Sequence, residues 1–245
     1  MNVREQEQLL LPLSAIPTYT FDNFIVGPEN RLAFHEARKF SQGTSASRSM
    51  IIVGEGGAGK THLLSACIYE QEMRNVSCVY IHSEEIVRSL SEVEDKEGCL
   101  QILSHYQHYS FIAIDAFELL EDVFFAQEYM IYLYNVISSK CGRMLIGSRT
   151  DPGSMKGLRS ELKSRLLWGL IITLQEPGDE ELYGIIKKIA GDKGIRLSDE
   201  LVHFLMMRLP RSIGNFERVI ALLDRQSLRL SRNIAIPFAK ELFDL

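Results

Sequence analysis

One stretch, Gly54-Glu55-Gly56-Gly57-Ala58-Gly59-Lys60-Thr61, constrains this chain more than any other. It satisfies G-x-x-x-x-G-K-S/T and stands between an apolar run, Met50-Ile51-Ile52-Val53, and a helical pattern from Lys60 to Arg74. Strand, glycine loop and helix in that order open a βαβ unit. Glycines let such a loop curl until its N–H groups converge on phosphate oxygens, and the helix N-terminus adds positive potential. Lys60 then reaches the terminal phosphates and the Thr61 hydroxyl ligates Mg²⁺. The expected phosphate ligands are Gly54, Gly56, Gly57, Ala58, Gly59, Lys60 and Thr61.

The same glycines also satisfy G-x-G-x-x-G through Gly54, Gly56 and Gly59, with Glu84 after the next apolar run as the ribose-binding acid of a dinucleotide fold. That fold has no need of Lys60-Thr61. A P-loop NTPase does need an aspartate ending another apolar strand, and Ile114-Asp115 supplies one. Asp115 is expected to hold Mg²⁺ through water, beside Thr61.

Four more apolar runs, Cys78 to His82, Phe111 to Asp115, Met144 to Gly147 and Leu170 to Leu174, alternate with helical patterns. The clearest helix spans Val123 to Ser139, where Phe125, Tyr129, Leu133, Val136 and Ile137 recur at helical spacing; another spans Glu29 to Gln42. This alternation predicts an α/β fold with a mainly parallel sheet covered on both faces. After Glu176-Pro177-Gly178 the strands stop. Helices are expected over 179–191, 198–208 and 212–231, with a short one after Pro237, and Ser198-Asp199-Glu200 is a helix start signal. The expected organisation is a flexible N-terminal peptide over 1–17, a nucleotide-binding domain over 18–176 and a small helical lid over 177–245.

Charge and cysteine content limit the partners. Lys and Arg number 27 against 32 Asp and Glu, a net charge of −5, which argues against a protein that coats nucleic acid by charge alone. Cys67, Cys78, Cys99 and Cys141 are scattered with no C-x-x-C pair, so neither a zinc site nor a disulfide framework is indicated and a reducing cytoplasm is expected. No stretch reaches the roughly 20 apolar residues of a membrane span. The run Leu9-Leu10-Leu11-Pro12-Leu13 follows Glu5 and Glu7 and lacks the cationic flank of a signal peptide. His105 and His108 lie near one another without a third metal ligand.

Three segments carry a family resemblance. Tyr19 to Asn30, the loop with Gly59-Lys60-Thr61-His62-Leu63-Leu64, and Leu162-Lys163-Ser164-Arg165-Leu166-Leu167-Trp168-Gly169-Leu170 closely resemble the AAA+ domain of the bacterial replication initiator DnaA. The resemblance implies an AAA+ P-loop fold with a helical lid. It implies adenine nucleotide, ADP in preference to ATP, and Mg²⁺ as cofactors, with Phe24, Val26 and His62 joining the loop and Asp115 around the nucleotide. Arg165 matches the family's arginine finger, which projects into a neighbour's nucleotide site; the lesser alternative, read from the residues alone, is a surface arginine paired with Glu161. Without the initiator's helix-turn-helix domain, and with Ile236 to Leu242 at the end, the chain is similar to the Hda group of DnaA-related regulators. Gln8, Leu9, Leu11, Pro12 and Leu13 then resemble that group's docking peptide for the beta subunit of the DNA polymerase sliding clamp; a glutamine and apolar anchors on a flexible tail suit an apolar pocket.

Departures from the family pattern bear on hydrolysis. Ala116 stands where an AAA+ ATPase usually carries a second acid, leaving Glu118 two residues on. Gly214 stands at the sensor 2 position, so Arg211 or Arg218 would make any lid contact with phosphate, and Gly147-Ser148-Arg149-Thr150-Asp151-Pro152 differs from the usual sensor 1 run. The resemblance therefore implies weak or no intrinsic ATPase and an inhibitor of replication initiation, with DnaA and the clamp as partners, DNA reached through the clamp, no membrane, and self-association through the Arg165 face left open. An autonomous ATPase of the loader or motor type and a tether for DnaA without catalytic effect are the alternative readings. Arg211, Arg218, Arg225, Arg229 and Arg232 form a basic stripe, which as a rule is a solvated face.

Overall fold

The computed structural model describes residues 19–91 and 105–243. Gln8, Leu9, Leu11, Pro12 and Leu13 lie outside the described residues. The apolar runs form one five-stranded sheet in the order β2-β3-β4-β1-β5, all pairs parallel, from β1 Ser49–Val53, β2 Cys78–His82, β3 Phe111–Asp115, β4 Arg143–Ser148 and β5 Leu170–Thr173. These strands read as unbroken apolar runs because both faces of the sheet are covered.

Side-chain alternation along the strands sorts them into two cores. Ile51, Ile112, Ile114, Met144 and Ile146 face one side, against α3 (Ser83–Ser91), α4 (Phe124–Ser139) and α5 (Ser160–Leu167), through Ile86, Leu90, Tyr129, Leu133, Ile137, Leu162 and Leu166. Met50, Ile52, Phe111, Ala113 and Leu145 face the other, against α1 (Arg31–Ser41) and α2 (Lys60–Met73), through Phe34, Ala37, Phe40, Leu63, Leu64 and Cys67. A third core belongs to the helices after the sheet: α6 (Asp179–Asp192), α7 (Asp199–Arg208), α8 (Ile213–Leu230) and α9 (Ile236–Phe243), joined by Leu182, Ile186, Leu201, Leu205, Phe216, Ile220, Leu223 and Phe238. Among the described residues no helix is long and apolar enough to cross a membrane.

Capping explains where the lid helices start. The Ser198 hydroxyl accepts from Leu201 N and the Ser212 hydroxyl from Asn215 N, each at 3.3 Å. Pro237 sits inside the first turn of α9, where its missing N–H costs no helical bond. Two of the intervening helices were expected only as helical patterns without bounds. In α3 only Ile86, Val87 and Leu90 are apolar, and α5 has 8 residues, so neither is long enough for its periodicity to stand out. The basic stripe is shorter than expected: Arg211 and Arg232 fall outside α8 and pair with Asp179 and Glu241, while Arg218, Arg225 and Arg229 are exposed.

Phe111 is 1% exposed between the sheet and α1, and Trp168 is 84% exposed. Phe111→Ala should cost about 3–5 kcal/mol of unfolding free energy, and Trp168→Ala within about 0.5 kcal/mol. Denaturant midpoints compared at constant slope measure both; equal losses would contradict this core assignment.

Candidate functional site

The carboxyl ends of β1, β3 and β4 lie along one edge of the sheet, the place where open parallel sheets bind ligands. The glycine loop leaves β1 there and is tied at once to β4, because Gly54 N donates to the Ser148 carbonyl at 3.0 Å. A Cβ on Gly54 would fall 2.4 Å from the Leu174 carbonyl, so close backbone approach requires glycine at this position. Gly57 and Gly59 have φ of +87° and +107°, in the left-handed region, and a Cβ on Gly59 would meet the Phe24 ring at 3.2 Å. The loop thus curls over the first turn of α2. Its cradle would be filled by side chains, which is the geometry that suits a phosphate chain.

Lys60 lies inside the curl, 8% exposed, and its ammonium donates to the Gly54 and Glu55 carbonyls. Burial lowers its pKa, partly offset by Asp115 and Glu118, while Arg149 pushes in the same direction as burial. The Thr61 hydroxyl donates to Asp115 Oδ2 at 2.6 Å, and the Tyr80 hydroxyl donates to the same oxygen at 2.8 Å. Asp115 Oδ1 accepts from Ala116 N at 2.8 Å. A Cβ on Gly147 would lie 2.8 Å from Asp115 Oδ1, so the glycine of β4 makes room for the carboxylate. Asp115 and Thr61, the two expected Mg²⁺ ligands, are therefore adjacent. Tyr80 was not foreseen; its register opposite Ala113 in β3 sets the hydroxyl beside the strand end.

Ala116 adopts a left-handed conformation, φ +55°, as the chain turns from β3 into a short 3-10 turn, Phe117–Leu120. Glu118 lies on that turn and is already engaged: it accepts from Arg149 N at 3.0 Å and pairs with the Arg149 guanidinium at 3.5 Å.

Beyond the loop opens a cleft of about 900 Å³ between sheet and lid. Its walls include Tyr19, Phe24, Ile25, Asn30, Gly57 to His62, then Ile185, Lys188, Ile189, Gly214 and Glu217 from the lid. The His62 ring lies 4.6 Å from Tyr19 and edge-on to Phe24 at 5.0 Å, and its Nε2 donates to the Thr20 carbonyl at 3.0 Å. Burial lowers the His62 pKa to about 4, so this aromatic wall is neutral. Val26 is 41% exposed, and the preceding Ile25 lines the cleft.

The remaining candidates lie elsewhere. Arg165, near the end of α5, donates from Nε to Asn135 Oδ1 at 3.0 Å and pairs with Glu161 at 3.0 Å. Arg211 pairs with Asp179, and Arg218 donates to the Gly214 carbonyl at 3.2 Å. Glu84, the acid of the dinucleotide alternative, is in the first turn of α3, facing His82 at 3.9 Å. The lid side of the cleft escaped sequence reasoning: Ile185, Lys188 and Ile189 look like any amphipathic helix face until the lid is seated.

Two family models match the chain, the bacterial DnaA ATPase domain over residues 16–173 and the Hda lid domain over residues 179–243. Among curated proteins, the chromosomal replication initiator DnaA of Aliarcobacter butzleri is 28% identical over 92% of this chain and 52% of its own length. That of Wolinella succinogenes is 27% identical over 91% and 52%. The chain thus spans about half the length of these relatives. Among solved structures, domain III of Thermotoga maritima DnaA superposes with TM-score 0.83 at 24% identity, covering 93% of this chain and 96% of that one. AMPPCP-bound DnaA from Aquifex aeolicus gives 0.74 at 24%, covering 86% and 66%. At these identities the structures establish the fold.

A buried carboxyl pair joins the two sides of the cleft. Glu181, 4% exposed in the first turn of α6, reaches the turn before α1, where a Cβ on Gly27 would collide with its carboxyl, and meets Glu29. Glu29 Oε2 and Glu181 Oε1 are both buried without a donor. Burial, and then the contact with Glu29, raises the Glu181 pKa. A raised folded-state pKa contributes stability that is complete below the ordinary carboxylate range and is lost as pH rises through the raised value. Stability should therefore fall as pH climbs from about 4 toward neutrality, and Glu181→Gln should flatten that part of the profile. Denaturation at a series of pH values tests this; an unchanged slope in the variant would contradict a raised Glu181 pKa.

Proposed function

The chain belongs to the family of the bacterial DnaA ATPase domain, and from that membership we propose that it is a nucleotide-binding regulator of replication initiation that acts on DnaA itself. The observation that carries this reading is the joining of a DnaA-type ATPase domain to an Hda-type lid around a complete phosphate loop. Adenine nucleotide is held with its phosphates in the Gly54 to Thr61 loop and its base in the cleft beside Phe24 and His62. Mg²⁺ held by Thr61 and Asp115 neutralises phosphate charge when it is bound. ADP is the expected occupant, because the chain has Ala116 where a water-orienting acid is needed and Glu118 is tied to Arg149. The bound nucleotide then fixes the sheet against the lid, and turnover in this chain is slow.

The catalytic contribution is made to a neighbour. Arg165 is off the chain's own cleft, beside the exposed Leu167 and Trp168, so it is available to a second molecule. Its partners there, Glu161 and Asn135, hold the guanidinium on the surface of α5 and α4 and are exchanged for the neighbour's phosphate on docking. Gln8 to Leu13 supply the tether to the sliding clamp, and through it to DNA. An arginine given in trans is worth on the order of 10³ to 10⁵ in rate.

Hydrolysis of DnaA-bound ATP, assayed with clamp-loaded DNA, should be stimulated by the wild-type chain and lose on the order of 10³ of that stimulation with Arg165→Ala. A purely tethering protein would survive this change. Measurable turnover by the isolated protein that disappears with Lys60→Ala would instead mark an autonomous ATPase. Gln8→Ala combined with Leu9→Ala should abolish clamp binding and leave nucleotide affinity intact; unaltered clamp affinity would remove the docking step.

A further inference from the structure

The lid carries cations that the proposed function leaves unused. From residue 177 onward there are 11 Lys and Arg against 10 Asp and Glu, while the preceding part has 16 against 22, so the acidity of the chain belongs to the part before the lid. Arg218, Arg225 and Arg229 stand on α8 and are exposed. Among the described residues none of the three pairs with a carboxylate. Arg211 and Arg232, just beyond the two ends of the helix, are neutralised by Asp179 and Glu241. Phe216, Val219, Ile220 and Leu223 are buried in the lid core and fix the rotation of α8. At about 100° and 1.5 Å per residue, the three arginines then fall within about 40° of one another and form a row about 16 Å long. Glu217 and Asp224 lie about 100° to 120° round from that row, Glu217 in the wall of the cleft. Arg225 and Arg229 are four positions apart, so their like charges oppose the helix. A row of cations that works against its own helix and lacks carboxylate partners calls for an anion from outside.

We propose that this face of α8 docks on the phosphate backbone of duplex DNA. The proposal rests on the reading of the chain as a regulator of replication initiation held at DNA by the clamp, and adds a direct contact to that tether. A helix crossing the major groove, about 12 Å wide, meets phosphates on both edges, which a row about 16 Å long can reach. Arginine suits the task, since its guanidinium offers phosphate a planar pair of donors. Three such contacts are sequence-independent and weak, with Kd on the order of 10⁻⁴ to 10⁻⁶ M, and the net charge of −5 opposes accumulation on free DNA. A tether that raises the local concentration of DNA to about the mM range fills such a site, so the contact forms where a loaded clamp is and not along DNA at large. A membrane surface is the poorer fit. A helix that lies on lipid exposes an apolar face beside its cations, whereas here that face is buried in the lid core and Leu228 and Leu230 are exposed only in the last turn.

Titration of a labelled short duplex with the full chain, followed by fluorescence anisotropy at several salt concentrations, tests this without clamp or DnaA. Wild-type affinity should fall on the order of 40-fold between about 50 and 200 mM salt, the slope of three neutralised phosphates. Arg225→Gln combined with Arg229→Gln should leave only about a threefold to fourfold fall over that range. Melting temperature and ADP affinity should be unchanged in this double variant, because both side chains are exposed and off the cleft. Wild-type protein that binds no duplex at the lowest salt, or a double variant that keeps the wild-type slope, would overturn the proposal. So would loss of binding to phosphatidylserine vesicles in the variant with duplex binding intact, which would assign the row to lipid. These titrations do not involve DnaA, so they can fail while its stimulated hydrolysis stands, and the Arg165→Ala result can fail while they stand.

Discussion

The hydrogen bond from Gly54 N to the Ser148 carbonyl, and the one from Thr61 to Asp115, hold the loop on which the rest of the structure depends. A glycine-rich loop is entropically costly to order, since glycine loses more backbone freedom than any other residue. Here the cost is met by anchoring both ends: the first glycine to β4, the first turn of α2 to the end of β3. Those strands are neighbours in the sheet, so the loop is stretched over a rigid base. With the base fixed, the φ values of Gly57 and Gly59 follow, and so does the stacking of the aromatic wall formed by Phe24, His62 and Tyr19.

Cations are gathered at this edge and their counter-charges are kept local. Lys60 faces Asp115 and Glu118, Arg149 is parked on Glu118, and the one histidine in the wall is kept neutral by burial. This arrangement favours anion binding while each of these cations keeps a carboxylate close by. In the proposed function it also separates binding from turnover. Glu118, the next acid after Asp115, is committed to Arg149, and Ala116 offers only a methyl group.

Much of the sheet was legible in the sequence because the strands are short apolar runs bounded by turns, and the loop announced itself through glycine spacing and its place between strand and helix. The expected ends of β2 and β3 coincide with the observed ones, and those of β1, β4 and β5 differ by one residue. What was not legible depends on contacts between segments far apart in the chain. Tyr80 carries no signal in sequence that marks it as a partner of Asp115, and Glu181 reads as an ordinary acid in a helix first turn. Only the seating of α6 against the turn at Gly27 turns it into half of a buried pair. Glu118 and Arg149 are 31 positions apart, and their pairing follows from the adjacency of β3 and β4.

The same adjacency bears on how such a module divides its chemistry. The phosphate loop needs only β1, β3, β4 and α2, and it is complete within the sheet domain. The cleft needs the lid as well, since Ile185, Lys188 and Ile189 make one wall, and the Glu29–Glu181 contact is one of the links between the two halves. In the proposed function, nucleotide seated in the cleft would touch both halves, so its binding energy would bear on their relative position as well as on the loop. Arg165 belongs to neither half of the cleft. It rests on α4 and α5, which pack on the opposite core from α1 and α2, and there it contributes nothing to the chain's own site. The residues that the proposed function assigns to nucleotide and to a neighbouring molecule are thus carried by different layers of the fold.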